Sequence, residues 1–298
     1  MKTLLLPILL AGFASAARTE TPQEKYAPLG RLIMVKLESA PFPHPSRAEG
    51  HKYQTRQYDA ATHYTDNTVG IFVPKGFRRA DKVDFVVHFH GWRNHVENVL
   101  SHYELPQQFA EAGRNAILVV PQGPYDAPDS SGGKLEDENG FKKFMVEVVA
   151  VLRKEGVIGS ESIGEIVLCG HSGGYKVISA IVTRGGLEEK VKEVWLFDAL
   201  YANTEQFMGW FKRFPERRMI VIYTLHGGTK EETEKLIMSL KDAKPALPFL
   251  SKKEAEMTEA DLKNNQLIFI YTDLEHDKVP YEHHAFREYL KTSGLKPM

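Results

Sequence analysis

Glu165-Ile166-Val167-Leu168-Cys169-Gly170-His171-Ser172-Gly173-Gly174 is the stretch that decides how this chain is read. Ile166 to Cys169 is a short apolar run of the kind that fills a buried strand. A helix follows from near Gly173. Gly170 and Gly174 flank a turn so tight that a side chain at either position would clash, and glycine accepts the unusual dihedrals there. The serine between them is pushed out at the carboxyl end of the sheet, where a base can reach its hydroxyl.

Working outward, short β-branched apolar segments alternate with amphipathic ones. Arg31 to Leu37, Thr68 to Val73, Asp84 to Phe89, Ala116 to Val120, Val194 to Phe197, Met219 to Thr224 and Leu267 to Thr272 read as further strands. Between Asn139 and Lys154, Phe141, Phe144, Met145, Val148, Val149 and Leu152 recur at a helical period. Further helices fit Glu104 to Ala112, Glu205 to Lys212, Lys230 to Lys241 and Tyr281 to Lys291. Ala243 to Asn265 reads as a polar, mainly helical insertion. This alternation predicts a mostly parallel central sheet with helices on both faces, and such sheets carry their sites at the carboxyl ends of strands.

The chain has 298 residues, 42% hydrophobic and 26% charged, with a formal net charge of -1. That balance implies one large core and no nucleic-acid or membrane-surface partner. No G-x-G-x-x-G or Walker A run follows an early strand, so no dinucleotide or phosphate cofactor is expected. Lys2, the apolar run Leu4 to Phe13 and Ala14-Ser15-Ala16 fit a signal peptide over residues 1–17. The run is shorter than the ~20 residues that span a bilayer. Residues 18–298 are then a single secreted or periplasmic domain without a membrane anchor. The lone cysteine, Cys169, cannot form an internal disulfide and reads as a small apolar side chain in a central strand.

A serine hydroxyl needs a base, the base an orienting carboxylate, and the intermediate needs oxyanion donors. Asp198 stands where the strand after the serine's own strand runs out, and is the candidate acid. Glu231, after the following strand, is the alternative. His276, a few residues past the last strand, is the candidate base. The backbone N–H groups of Gly173 and of Trp92, in the His90-Gly91-Trp92 turn, are the candidate oxyanion donors. His171, His90 and Tyr125 are candidates for contact with substrate. The loop Pro121 to Asn139, rich in polar residues, is a candidate substrate wall. His88 and His90, with His95 and His102 beyond, could instead suggest a metal site, but no third ligand has confirming spacing, and no metal is expected.

With Gly170-His171-Ser172-Gly173-Gly174, the His90-Gly91-Trp92 turn and the order Ser172, Asp198, His276, the chain resembles an α/β-hydrolase-fold serine hydrolase of the esterase or lipase kind. The likeness spans nearly the whole mature length. An acid directly after the post-elbow strand resembles the pancreatic-lipase placement rather than the commoner one a strand later. The single glycine of the His-Gly turn departs from the H-G-G-G of many lipases. The resemblance implies hydrolysis of carboxylic esters, small or on an acylated polymer, through an acyl-enzyme, with no large separate cap domain. A peptidase or amidase on the same residues, or a non-catalytic binding protein on this scaffold, is the alternative.

Overall fold

The computed structural model describes residues 20–214 and 216–298, so the expected signal peptide lies outside the described residues. Its strands are β1 Gly30–Lys36, β2 His51–Tyr53, β3 Arg56–Tyr58, β4 Thr68–Pro74, β5 Lys82–Phe89, β6 Ala116–Pro121, β7 Ser162–His171, β8 Val191–Phe197, β9 Arg218–Thr224, β10 Leu250–Lys253 and β11 Leu267–Thr272. Nine of them form one sheet in the order β1-β4-β6-β5-β7-β8-β9-β11-β10. The β1–β4 and β4–β6 pairs are antiparallel and every later pair is parallel. β2 and β3 make a separate hairpin.

Successive side chains of a strand point to opposite faces, and the core divides accordingly. Phe85 and Val87 of β5 and Ile166 and Leu168 of β7 face Phe144, Val148, Ile178 and Ile181. These come from the helices Gly140–Lys154 and Tyr175–Arg184. Val86, Val167 and Cys169 face the other way, with Trp195, toward Phe109 and Phe286. Those aromatics belong to the helices Leu105–Ala112 and Ala285–Lys291. Both faces of the sheet are therefore covered, as the apolar runs require. Among the described residues no separate cap domain is present. Among the described residues no helix is long and apolar enough to cross a membrane.

Two stretches differ from the expectation. The segment 243–265 is only partly helical: it places β10 beside β11, then a six-residue helix, Glu259–Asn264. The last helix starts at Ala285 rather than Tyr281, because His284 takes a left-handed conformation (φ 54°) that breaks the helical path.

Candidate active site

β7 ends at His171, and Ser172 opens a short 3-10 turn before the helix Tyr175–Arg184. Ser172 has φ 53°, the left-handed region that non-glycine residues adopt only when their surroundings force it. The turn is close-packed on both sides. A Cβ on Gly174 would lie 2.6 Å from the Phe89 carbonyl oxygen, and one on Gly170 would lie 2.8 Å from Ile178 Cδ1. The elbow is thus wedged between the end of β5 and its own helix.

Asp198 follows β8 directly, fully buried and also at positive φ (43°). Its Oδ2 lies 2.5 Å from His276 Nδ1. Its Oδ1 accepts the Thr229 hydroxyl and, at 3.3 Å, the Thr224 N–H. A carboxylate removed from water needs such donors to remain charged. With Oδ2 as acceptor, the tautomer of the neutral imidazole is the one with its proton on Nδ1 and its lone pair on Nε2. Among the described residues Nε2 has no hydrogen-bond partner. Gly227 makes the pairing possible: a Cβ there would fall 1.5 Å from Asp198 Oδ2 and 2.6 Å from His276 Nδ1. Glu231 is instead exposed on the helix Lys230–Asp242, paired with Lys235 one turn on. The geometry therefore couples Asp198, and not Glu231, to the histidine.

On the other side of the serine lies the turn after β5. A Cβ on Gly91 would stand 2.6 Å from Ser172 Cβ, so the backbone passes directly against the serine. A Cβ on Gly173 would come 2.7 Å from Trp92 Cδ1. The two backbone segments expected to donate to an oxyanion are therefore neighbours. Trp92 Nε1–H donates to Ser130 Oγ at 2.7 Å, its ring meets Tyr53 of the β2–β3 hairpin edge-on at 5.1 Å, and the residue is 42% exposed.

The three candidate substrate contacts are placed differently from one another. His90 is buried behind the turn and does not line the cleft. Its Nε2 accepts the Gly123 N–H at 2.8 Å, so its Nδ1–H donates to the Gly91 carbonyl, also at 2.8 Å. Burial holds it neutral, with its pKa lowered to about 4. Tyr125 also stands away from the cleft, stacked on His95. Its backbone N–H and carbonyl are both bonded to His63. His171 does border the cleft, but it is 3% exposed and both ring nitrogens are engaged. Nor does the loop 121–139 form a polar wall. Asp129 turns inward to a two-pronged bond with Arg47 (2.6 and 2.9 Å), Ser130 holds Trp92, and Lys134 donates to the Glu38 carbonyl.

Ser172 and His276 open onto a cleft of about 660 Å³, bordered also by Tyr53, Trp92, Arg93, Asn98 and Tyr201. Sequence reasoning missed Tyr201. Its hydroxyl donates to the Gly227 carbonyl at 2.5 Å. Its pKa is raised to about 12, chiefly by burial and then by the Asp198 charge. Tyr201 follows Asp198 by three residues, which was the available signal. Tyr53 sits in a polar hairpin and gave none.

The His88/His90 metal reading does not fit the site. His88 is sealed in the core, its Nδ1 beside Cys169 Sγ at 3.4 Å. Among the described residues the ligand-type side chains that converge are His171, His276 and Asp277. Three of the four ring nitrogens there are already bonded to Tyr103, the His276 carbonyl and Asp198.

No protein-family model matches this sequence, and no curated protein sequence matches it. Its fold is similar to that of a mutant feruloyl esterase module from Clostridium thermocellum complexed with sinapinate. The two share 14% identity over 91% of this chain and 90% of that one, with a TM-score of 0.56. It is also similar to substrate-bound fluorophosphonate-binding serine hydrolase F of Staphylococcus aureus, at 11% identity over 89% and 99%, TM-score 0.51. A ferulic acid esterase matches at 11% identity over 88% and 97%, TM-score 0.53. The chain has the α/β-hydrolase fold.

Proposed function

We propose that the protein is a serine hydrolase that cleaves carboxylic esters through an acyl-enzyme, with Ser172 as nucleophile, His276 as base and Asp198 as its orienting acid. The observation that carries this reading is the buried Asp198 Oδ2 at 2.5 Å from His276 Nδ1, which leaves Nε2 free in the cleft that Ser172 shares. Nε2 takes the Ser172 proton as Oγ bonds to the ester carbonyl carbon. The N–H groups of Gly173 and Trp92 receive the oxyanion. The tetrahedral intermediate expels the alcohol, which leaves with the proton from His276. Water, activated by the same nitrogen, then releases the acid.

Tyr53, Trp92 and Tyr201 give the cleft flat aromatic walls, and Arg93 and Asn98 add polar groups at its border. Such a lining suits an ester with a planar acyl group on a hydroxylated alcohol. Aromatic acyl esters of carbohydrates fit that description, and the feruloyl esterase fold neighbours support the same substrate class. With the leader at 1–17, the enzyme would act after export. The test is intact mass after incubation with a small fluorophosphonate. A single adduct on the wild type, absent from Ser172→Ala, is the expected result. An unmodified wild type, with a probe small enough for the cleft, overturns the mechanism.

A further inference from the structure

His171, next to the nucleophile, makes all of its polar contacts away from Ser172. Its Nε2 lies 3.0 Å from the backbone carbonyl oxygen of His276. A carbonyl only accepts, so Nε2 carries the proton and Nδ1 is bare. Nδ1 lies 3.2 Å from the Tyr103 hydroxyl, which donates to it and accepts from Asn94 Nδ2 at 3.1 Å. The rings of His171 and His276 are in contact, with centroids 4.6 Å apart and planes inclined at 34°. His276 itself sits on a three-residue 3-10 turn, His276–Lys278, with half-exposed or exposed neighbours on either side. Its side chain is fixed at one end by Asp198. This contact with His171 ties its backbone to the end of β7, while Thr224 Oγ1–H holds the Leu274 carbonyl two residues earlier.

We propose that His171 is a positioning residue for His276: its Nε2–H holds the His276 carbonyl and its ring packs against the His276 imidazole, fixing base and nucleophile to the same strand end. The proposal rests on the reading of His276 as the base. The tether is one-directional by chemistry. The His276 carbonyl, which only accepts, selects the tautomer, and the Tyr103 hydroxyl, able to donate or accept, answers by donating to Nδ1. Asn94 and Tyr103 both border the cleft, so substrate contacts there act on the same chain of bonds.

The experiment compares His171→Phe, which keeps a ring but has no donor, with His171→Gln, which can place an N–H where Nε2 stood. Two readouts are used: kcat and KM on an aryl acetate, and amide hydrogen exchange over residues 275–279. A base displaced by about 1 Å loses on the order of 100-fold in rate. The expected result is such a fall in kcat for the phenylalanine variant, with KM little changed and faster exchange in that segment. The glutamine variant recovers a large part of both. Wild-type exchange rates in the phenylalanine variant overturn the proposal, and so does full kcat. Equal damage in both variants also overturns it, since a merely packed residue would behave that way. Failure of wild type to react with fluorophosphonate strikes the reading of function instead, and leaves the exchange comparison to decide the tether.

Discussion

The two flanks of Ser172 are built on different principles. On the Asp198–His276 flank, a fully buried carboxylate is bonded by side-chain and backbone donors from Thr224, Thr229 and His276. The flank at Gly91 and Trp92 is made of main chain instead. Backbone is brought close at Gly91 and Gly173 and propped by neutral groups, the His90 imidazole and the Trp92–Ser130 bond. The first flank tolerates no loss of a partner, because a stranded buried charge is costly. The second depends on the path of the main chain, which most side-chain truncations leave in place.

The sharpest way to break this contrast is Asp198→Asn. Asparagine presents a donor to Nδ1, the imidazole turns to the wrong tautomer, and kcat falls by about 10⁴-fold. Ester turnover by the purified variant measures it; a loss under tenfold would mean that the acid lies elsewhere.

A second measurement tests the buried neutral histidines. His88, His90 and His171 are all depressed by burial, His88 to about 3 and His90 to about 4. The unfolded chain binds protons at these sites from about pH 6.5 downward while the folded one does not, so stability is full above that pH and is lost as pH falls. His88 and His90 would each remove about 3 kcal/mol by pH 4. Urea titrations at pH 7 and pH 4.5 should show the fall. Equal midpoints would mean that these rings are charged in the fold.

Third, Gly227→Val drives a side chain between Asp198 and His276 and is expected to lower kcat by about 100-fold. Gly209→Ala, at an open position in a helix, serves as the control that keeps both activity and stability. The smallest effect is expected from Trp92→Ala. The ring is lost but the backbone N–H stays, so kcat should fall only by about two- to fivefold, with a larger rise in KM for aromatic esters. A kcat loss as large as that of Gly227→Val would show that the turn does not hold without its indole.

Local pattern made much of this legible. The apolar runs announced the strands; Ser172 and Asp198 each directly follow a strand, and His276 lies a few residues past another. What stayed hidden depends on contacts between distant segments. Arg47 pulls Asp129 inward across 82 positions, which turns a polar loop into a brace. His90 and His171 share a neighbourhood with the serine, yet only the partners of their ring nitrogens show that they hold backbone. Tyr53 reaches the cleft on a hairpin whose residues carry no strand periodicity.

The insertion that ends in Glu259–Asn264 has a consequence for how these molecules behave in a crowd. β11, with Leu267 to Ile270 buried, would otherwise end the sheet as an open apolar edge, a ready template for another chain. β10 occupies that edge with Leu250-Ser251-Lys252-Lys253, four residues long, with Lys252 pinned to Asp261. A short border strand carrying lysines gives a second copy little to pair with. The segment thus blunts one edge of the sheet against edge-to-edge pairing, four strands away from β7.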